Sequence, residues 1–165
     1  MLDLAAISAR IASALAADST LAAYCLEHYG RAPRVCLGAV GTLPRDGAEG
    51  DEPLCPYVEV APSDEATGGG EANVESGTVG ILVCADSSDR PEGWEDASKP
   101  AASGGAYAAK WDPDFAGLVA LVRAAACRDG HGALYKSQRT AWDGVTAYPI
   151  SFAAVSAEFY TIEAW

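Results

Sequence analysis

The chain contains two histidines and five cysteines, Cys25, Cys36, Cys55, Cys84 and Cys127, spread widely with no Cys-x-x-Cys. An odd number at such spacings excludes a zinc ribbon and speaks against a disulfide framework. The cysteines read instead as reduced, small hydrophobes. Basic residues are also scarce: 11 Lys and Arg face 23 Asp and Glu, a net charge of −12. That is the wrong sign for neutralising nucleic-acid phosphates or for docking on an anionic membrane, so neither a sequence-specific nucleic acid nor a membrane is expected as a partner. No window approaches the roughly 18 consecutive apolar residues of a membrane span. Met1 to Asp3 carry no basic region ahead of an apolar stretch, and no signal peptide or anchor is expected.

What is present suits one domain. A length of 165 residues with half of them hydrophobic is enough for a genuine core, and the expectation is a single domain over 1–165. Alanine dominates the apolar class, and 17 glycines with 9 prolines predict generous loops around a modest core.

Leu4, Ile7, Ile11 and Leu15 recur at helical spacing, so residues 3–17 read as an amphipathic helix. Asp18 then offers an N-cap oxygen, and Leu21, Tyr24, Cys25 and His28 share a face up to Gly30, as a second short helix or a kinked continuation. A first strand is read at 33–40 around Val35, Cys36 and Leu37, and a second at 54–61 between Pro56 and Pro62, whose rings would remove ladder donors at its ends. From Asn73 to Ala85 the pattern alternates and then turns apolar on both faces, as in a central strand.

Two stretches lack core-forming residues: the acidic 42–53, and Asp86 to Lys110, which reads as a long loop, functional or ordered on a neighbour. Asp112-Pro113-Asp114 is a helix start, with Phe115, Leu118, Val119 and Val122 as the apolar stripe. Alternation over 133–142 and again over 150–165, with Asp143-Gly144 between, predicts a C-terminal β-hairpin. The sum is an α+β fold, a mainly antiparallel sheet covered by two main helices.

This order of elements resembles the tail terminator and minor tail proteins of bacteriophages and prophages. The residues that carry the likeness are the helix break at Ala17-Asp18-Ser19, the strands Leu54-Cys55-Pro56-Tyr57-Val58-Glu59-Val60 and Gly77-Thr78-Val79-Gly80-Ile81-Leu82-Val83, the helix Phe115 to Ala126, and Tyr148-Pro149-Ile150-Ser151-Phe152 through Phe159-Tyr160-Thr161-Ile162. The resemblance implies a structural, non-enzymatic protein. It would be a self-associating ring, commonly a hexamer, that caps the tail tube, ends tube polymerisation and offers a surface to the head-completion or neck protein. Its place would be the virion tail, assembled in the host cytoplasm. The long segment 86–110 leaves a neck or head–tail joining role as the alternative.

Catalytic and metal chemistry are weakly signalled. Cys25-Leu26-Glu27-His28 and Cys127-Arg128-Asp129-Gly130-His131 each bring Cys and His close in sequence, the residue types of a thiolate nucleophile with its base. Such partners are normally brought together by the fold rather than by adjacency. No His-Glu-x-x-His or paired-Cys spacing supports a metal. Gly68-Gly69-Gly70 is not followed by Gly-Lys-Ser, and Gly77-Thr78-Val79-Gly80 lies inside a strand, so neither cradles phosphate. No catalytic residue, cofactor or metal is therefore expected. Trp94, Trp111, Trp142 and Trp165 fall mostly in loops, turns or at the end of the chain, where large aromatics often anchor interfaces. Asp46, Glu49, Asp51 and Glu52, with Asp64 and Glu65, read either as ordinary solvated surface or as an acidic lining for a channel through which DNA slides.

Overall fold

A computed structural model of the chain describes residues 2–38, 56–67, 74–86, 113–143 and 150–162. The first helix, α1 (Leu4–Ala16), begins where the Asp3 carboxylate accepts the Ala6 N–H at 2.9 Å, and its stripe Leu4, Ile7, Ile11 and Leu15 is buried. Asp18 ends it and starts α2 (Ser19–Tyr29) by accepting the N–H groups of Thr20 and Leu21 at 2.9 and 3.0 Å. The two helices meet at 58°, so the break is a true change of direction. Gly30, at φ +73°, closes α2 in the left-handed region where L side chains are strained.

Five strands follow around a third helix: β1 (Arg34–Leu37), β2 (Tyr57–Thr67), β3 (Val74–Asp86), α3 (Pro113–Ala126), β4 (Leu134–Asp143) and β5 (Ile150–Ile162). They form one sheet in the order β1-β2-β3-β5-β4, in which β1 runs parallel to β2 and every other neighbouring pair is antiparallel. The fold is thus α+β with a mostly antiparallel sheet. The helical cover comprises three helices where two main ones were expected, because the Asp18 cap makes α2 an independent element.

All three helices pack on one face. Strand positions Val58, Val60, Val79, Ile81, Val83, Ala153, Val155, Ala157 and Phe159 point into a single buried cluster with Ile11, Leu15, Leu21, Leu118, Val119 and Val122. Burying each large aliphatic in this layer is worth about 1.5–3 kcal/mol, which explains why every apolar stripe legible in the sequence converges there. No single helix among the described residues is long and apolar enough to cross a membrane. The residues preceding α1 lock onto the same layer: the Leu2 N–H donates to the Glu75 carboxylate, and Leu2 and Leu4 lie over Gly77. A Cβ at Gly77 would stand 2.7 Å from Leu4 Cδ1, so glycine there serves close packing.

Two boundaries differ from the sequence reading. β2 does not stop at Pro62 but continues to Thr67, because a register shift between Pro62 and Asp64 absorbs the missing donor in a bulge. β1 is only four residues, shorter than the expected 33–40. The Asp112 cap, the Asp143-Gly144 turn, the acidic segment 42–53 and the long segment beyond Asp86 fall wholly or largely outside the described residues.

Candidate interaction surfaces

The two Cys/His groupings are taken up by packing. Cys25 is fully buried among core residues, and burial pushes its thiol up to about 12. His28 instead stacks on Tyr24, with centroids 4.2 Å apart, and its Nδ1 lies 3.4 Å from the Asp114 carboxylate. At the other grouping, burial raises the Cys127 thiol above its ordinary value. His131 is buried against Phe159, and its Nε2 donates to the Ala125 carbonyl at 3.1 Å. Burial lowers the His131 pKa, with Arg128 and Arg10 adding to the effect against that hydrogen bond. A thiol held protonated and an imidazole committed to a backbone carbonyl do not make a nucleophile–base pair. Among the described residues, Cys25, Cys36, Cys84 and Cys127 form no disulfide.

The face of the sheet away from the helices carries a feature that sequence reasoning missed. Ala61, Gly80 and Ser156 are cross-strand neighbours in one row, Glu59, Leu82 and Ala154 in the next, and Tyr57, Cys84 and Phe152 in a third. The first two rows floor an open trough of about 410 Å³. The third belongs to a small second apolar cluster in which Tyr57 and Cys84 are buried beside Cys36, Leu82, Ile150 and Phe152. Tyr57 donates its hydroxyl to the Glu59 carboxylate, and burial together with Glu59 pushes the phenol far above its ordinary range. The signal was available: alternation in Tyr57-Val58-Glu59-Val60 puts Tyr57 and Glu59 on the face opposite the core valines.

A further surface feature is the sheet edge at β4. Register places Tyr135, Gln138, Thr140 and Trp142 on the helix side and Leu134, Ser137, Arg139 and Ala141 on the far side. Lys136 sits at a register shift between Tyr135 and Ser137, and its ammonium reaches the Glu158 carboxylate at 2.9 Å. That hydrogen bond, with a second from the Ser137 hydroxyl at 3.0 Å, holds Glu158 below its ordinary carboxylate value. Among the described residues the exposed large apolar side chains are Leu134 and Trp142 on β4, Leu37 on β1 at the opposite edge, Ile162 at the end of β5 and Leu26 on α2.

Of the tryptophans read as interface anchors, Trp142 is the described one. It is 42% exposed, and its ring meets Phe115 edge-on at 6.0 Å, so one side leans on the core and the other faces out. Trp94, Trp111 and Trp165 lie outside the described residues, as do Asp46, Glu49, Asp51 and Glu52. Asp64 is exposed on β2 beside the Pro62 register shift. Among the described residues no group of three or more His, Cys, Asp or Glu is placed to hold a metal.

No family model and no curated protein matches the chain. Among solved structures, the fold is similar to that of a chain in the virion of a native gene transfer agent particle, with a TM-score of 0.53 at 15% identity over 94% of each chain.

Proposed function

We propose that the protein is a structural, non-enzymatic subunit of a phage-like virion, and specifically a ring-forming tail terminator. The observation that carries this reading is the shared fold with a chain of the gene transfer agent virion, which extends over 94% of both molecules. The absence of a usable thiol–imidazole pair at Cys25/His28 and Cys127/His131 supports the non-enzymatic part.

In this reading copies associate side by side through sheet edges and exposed apolar residues, in a ring of six. The ring seats on the last layer of the tail tube protein, stops further polymerisation, and turns its other side to the head-completion or neck protein. Trp142 is a contact anchor, and Asp46, Glu49, Asp51 and Glu52 line the channel. Ring closure requires a head-to-tail interface in which two different patches of the chain meet. The two sheet edges, β1 and β4, are two such patches. The neighbour is described only as part of a virion, and a neck or head–tail joining protein is therefore the second reading.

Growth of tail tubes in the presence of the purified chain separates them. A terminator shortens the tubes and appears as a ring at one end in electron micrographs. A joining protein leaves tube growth unchanged and binds the head-side component instead. Failure of both would sink the virion assignment.

A further inference from the structure

We infer that copies of this chain join by antiparallel pairing of β4 of one copy with β1 of the next, so that the sheet runs continuously from subunit to subunit. The inference rests on the ring reading above and names the contact that builds the ring.

Strand polarity permits it. β1 runs parallel to β2, and three antiparallel steps then lead through β3 and β5 to β4, so β4 runs opposite to β1. Rotation about an axis roughly along the strands leaves their direction unchanged, and β4 therefore meets the next copy's β1 in the antiparallel sense. The helix layers of all copies then lie on the same side.

Hydrogen-bond capacity supports it. Within β1, the Arg34 N–H donates to the Pro56 carbonyl at 2.9 Å and, just past the strand, the Gly38 N–H donates to the Val60 carbonyl at 2.8 Å. The two-residue alternation of a strand then turns the N–H and C=O of Val35 and Leu37 away from β2, toward the side on which no described strand pairs. On β4 the register shift and Lys136 interrupt the start of the edge, a common guard against indiscriminate pairing. Residues 137–143 beyond the shift keep regular pairing with β5 and are long enough to receive the four residues of β1.

Apolar exposure falls on both sides of this contact, at Leu37 (57%) and Trp142 (42%). Closure disfavours the symmetric alternative: two β4 strands paired about a two-fold axis end at a dimer, whereas β4 against β1 leaves one unused edge of each kind on the growing assembly and can propagate until it closes as a ring.

The test uses two variants of the full chain. Arg139→Glu with Ala141→Glu places acids at two exposed β4 positions, and Leu37→Pro removes an outward N–H without touching the β1–β2 ladder. Circular dichroism and melting confirm folding, and Leu37→Asp replaces the proline variant if that one melts early. Sedimentation at rising protein concentration is expected to give rings for the wild type, monomers for each variant alone, and a dimer and nothing larger for their equimolar mixture. The dimer forms because such a mixture holds one intact edge of each kind per pair. Self-association of the Leu37 variant at wild-type strength would establish a symmetric β4 contact and overturn the inference. Rings from both variants, as expected if β4 receives a strand from a different protein, would overturn it while leaving the ring function standing. A wild type that stays monomeric, even on tail tubes, would overturn both.

Discussion

At the residue scale, Gly117 and His131 carry the sharpest expectations. The Tyr24 hydroxyl donates to the Asp114 carbonyl at 2.8 Å, docking α2 onto the first turn of α3, and a Cβ at Gly117 would collide with the Tyr24 hydroxyl oxygen. Gly117→Ala gains about 1 kcal/mol of helix propensity. It also displaces the tyrosine, forfeiting about 1 kcal/mol of hydrogen bond and adding about 1–3 kcal/mol of overpacking. A net loss of about 1–3 kcal/mol in chemical denaturation is expected from these terms. Adding Tyr24→Phe should recover part of it, since the clash is with the hydroxyl; a double variant less stable than Gly117→Ala would show the ring itself to be at fault. His131 sets a pH dependence. Its folded pKa is depressed below the ordinary 6.5, so the unfolded chain binds the proton more readily and stability rises with pH through this window. The contribution is complete above pH 6.5 and is lost as pH falls through the lower folded value. The denaturation midpoint should drop on acidification below 6.5, and His131→Gln should flatten that part of the curve. An equal slope in the variant would assign the effect to other groups.

At the scale of elements, the Asp18 cap separates two helices from one bent helix. Because its carboxylate satisfies two N–H groups at the start of α2, Asp18→Ala should cost about 1 kcal/mol in denaturant unfolding, while Asp18→Asn or Asp18→Ser retains most of it. Capping chemistry of this kind is local, which is why the α1–α2 break, the Gly30 stop and the apolar stripes of α1 and α3 were legible without coordinates. The central position of β3 was legible too, since a run apolar on both faces at Ile81, Leu82, Val83 and Cys84 fits only a strand flanked by others. Pairing order was not. That β1 lies parallel to β2, and that β5 inserts between β3 and β4, depend on long-range register that periodicity does not encode. Pro62 misled for a related reason: its missing donor predicts a strand end, but a bulge lets the ladder resume at Asp64. The candidate surfaces were less legible than the core. Trp142 was singled out by residue type alone, whereas the β4 edge and the trough over Ala61, Gly80 and Ser156 arise from neighbours far apart in sequence.

For the molecule as a whole, charge is the dominant long-range quantity. Copies carrying −12 each repel one another as they approach, and a ring concentrates that repulsion about its axis. If the chain forms the tail ring proposed above, the cost has a rationale in its channel, because cationic walls would bind the passing DNA by counterion release, whereas acidic walls repel it. Salt discriminates between the forces at work. Raising ionic strength from about 0.01 to 0.1 M shortens the Debye length from about 30 to about 10 Å. Repulsion between whole subunits is thereby screened, while backbone hydrogen bonds and apolar contacts at a strand edge are little affected. Ring formation should therefore increase with salt over this range. Converting Asp46, Glu49, Asp51 and Glu52 to their amides takes the formal charge from −12 to −8, and this variant should assemble at lower salt than the wild type. Sedimentation of both proteins across a salt series measures the shift. If rings dissolve as salt rises, attraction between unlike charges holds the subunits together. If the two proteins assemble alike, the four acids are solvated surface, and their repulsion is too weak or too distant from the axis to line a channel.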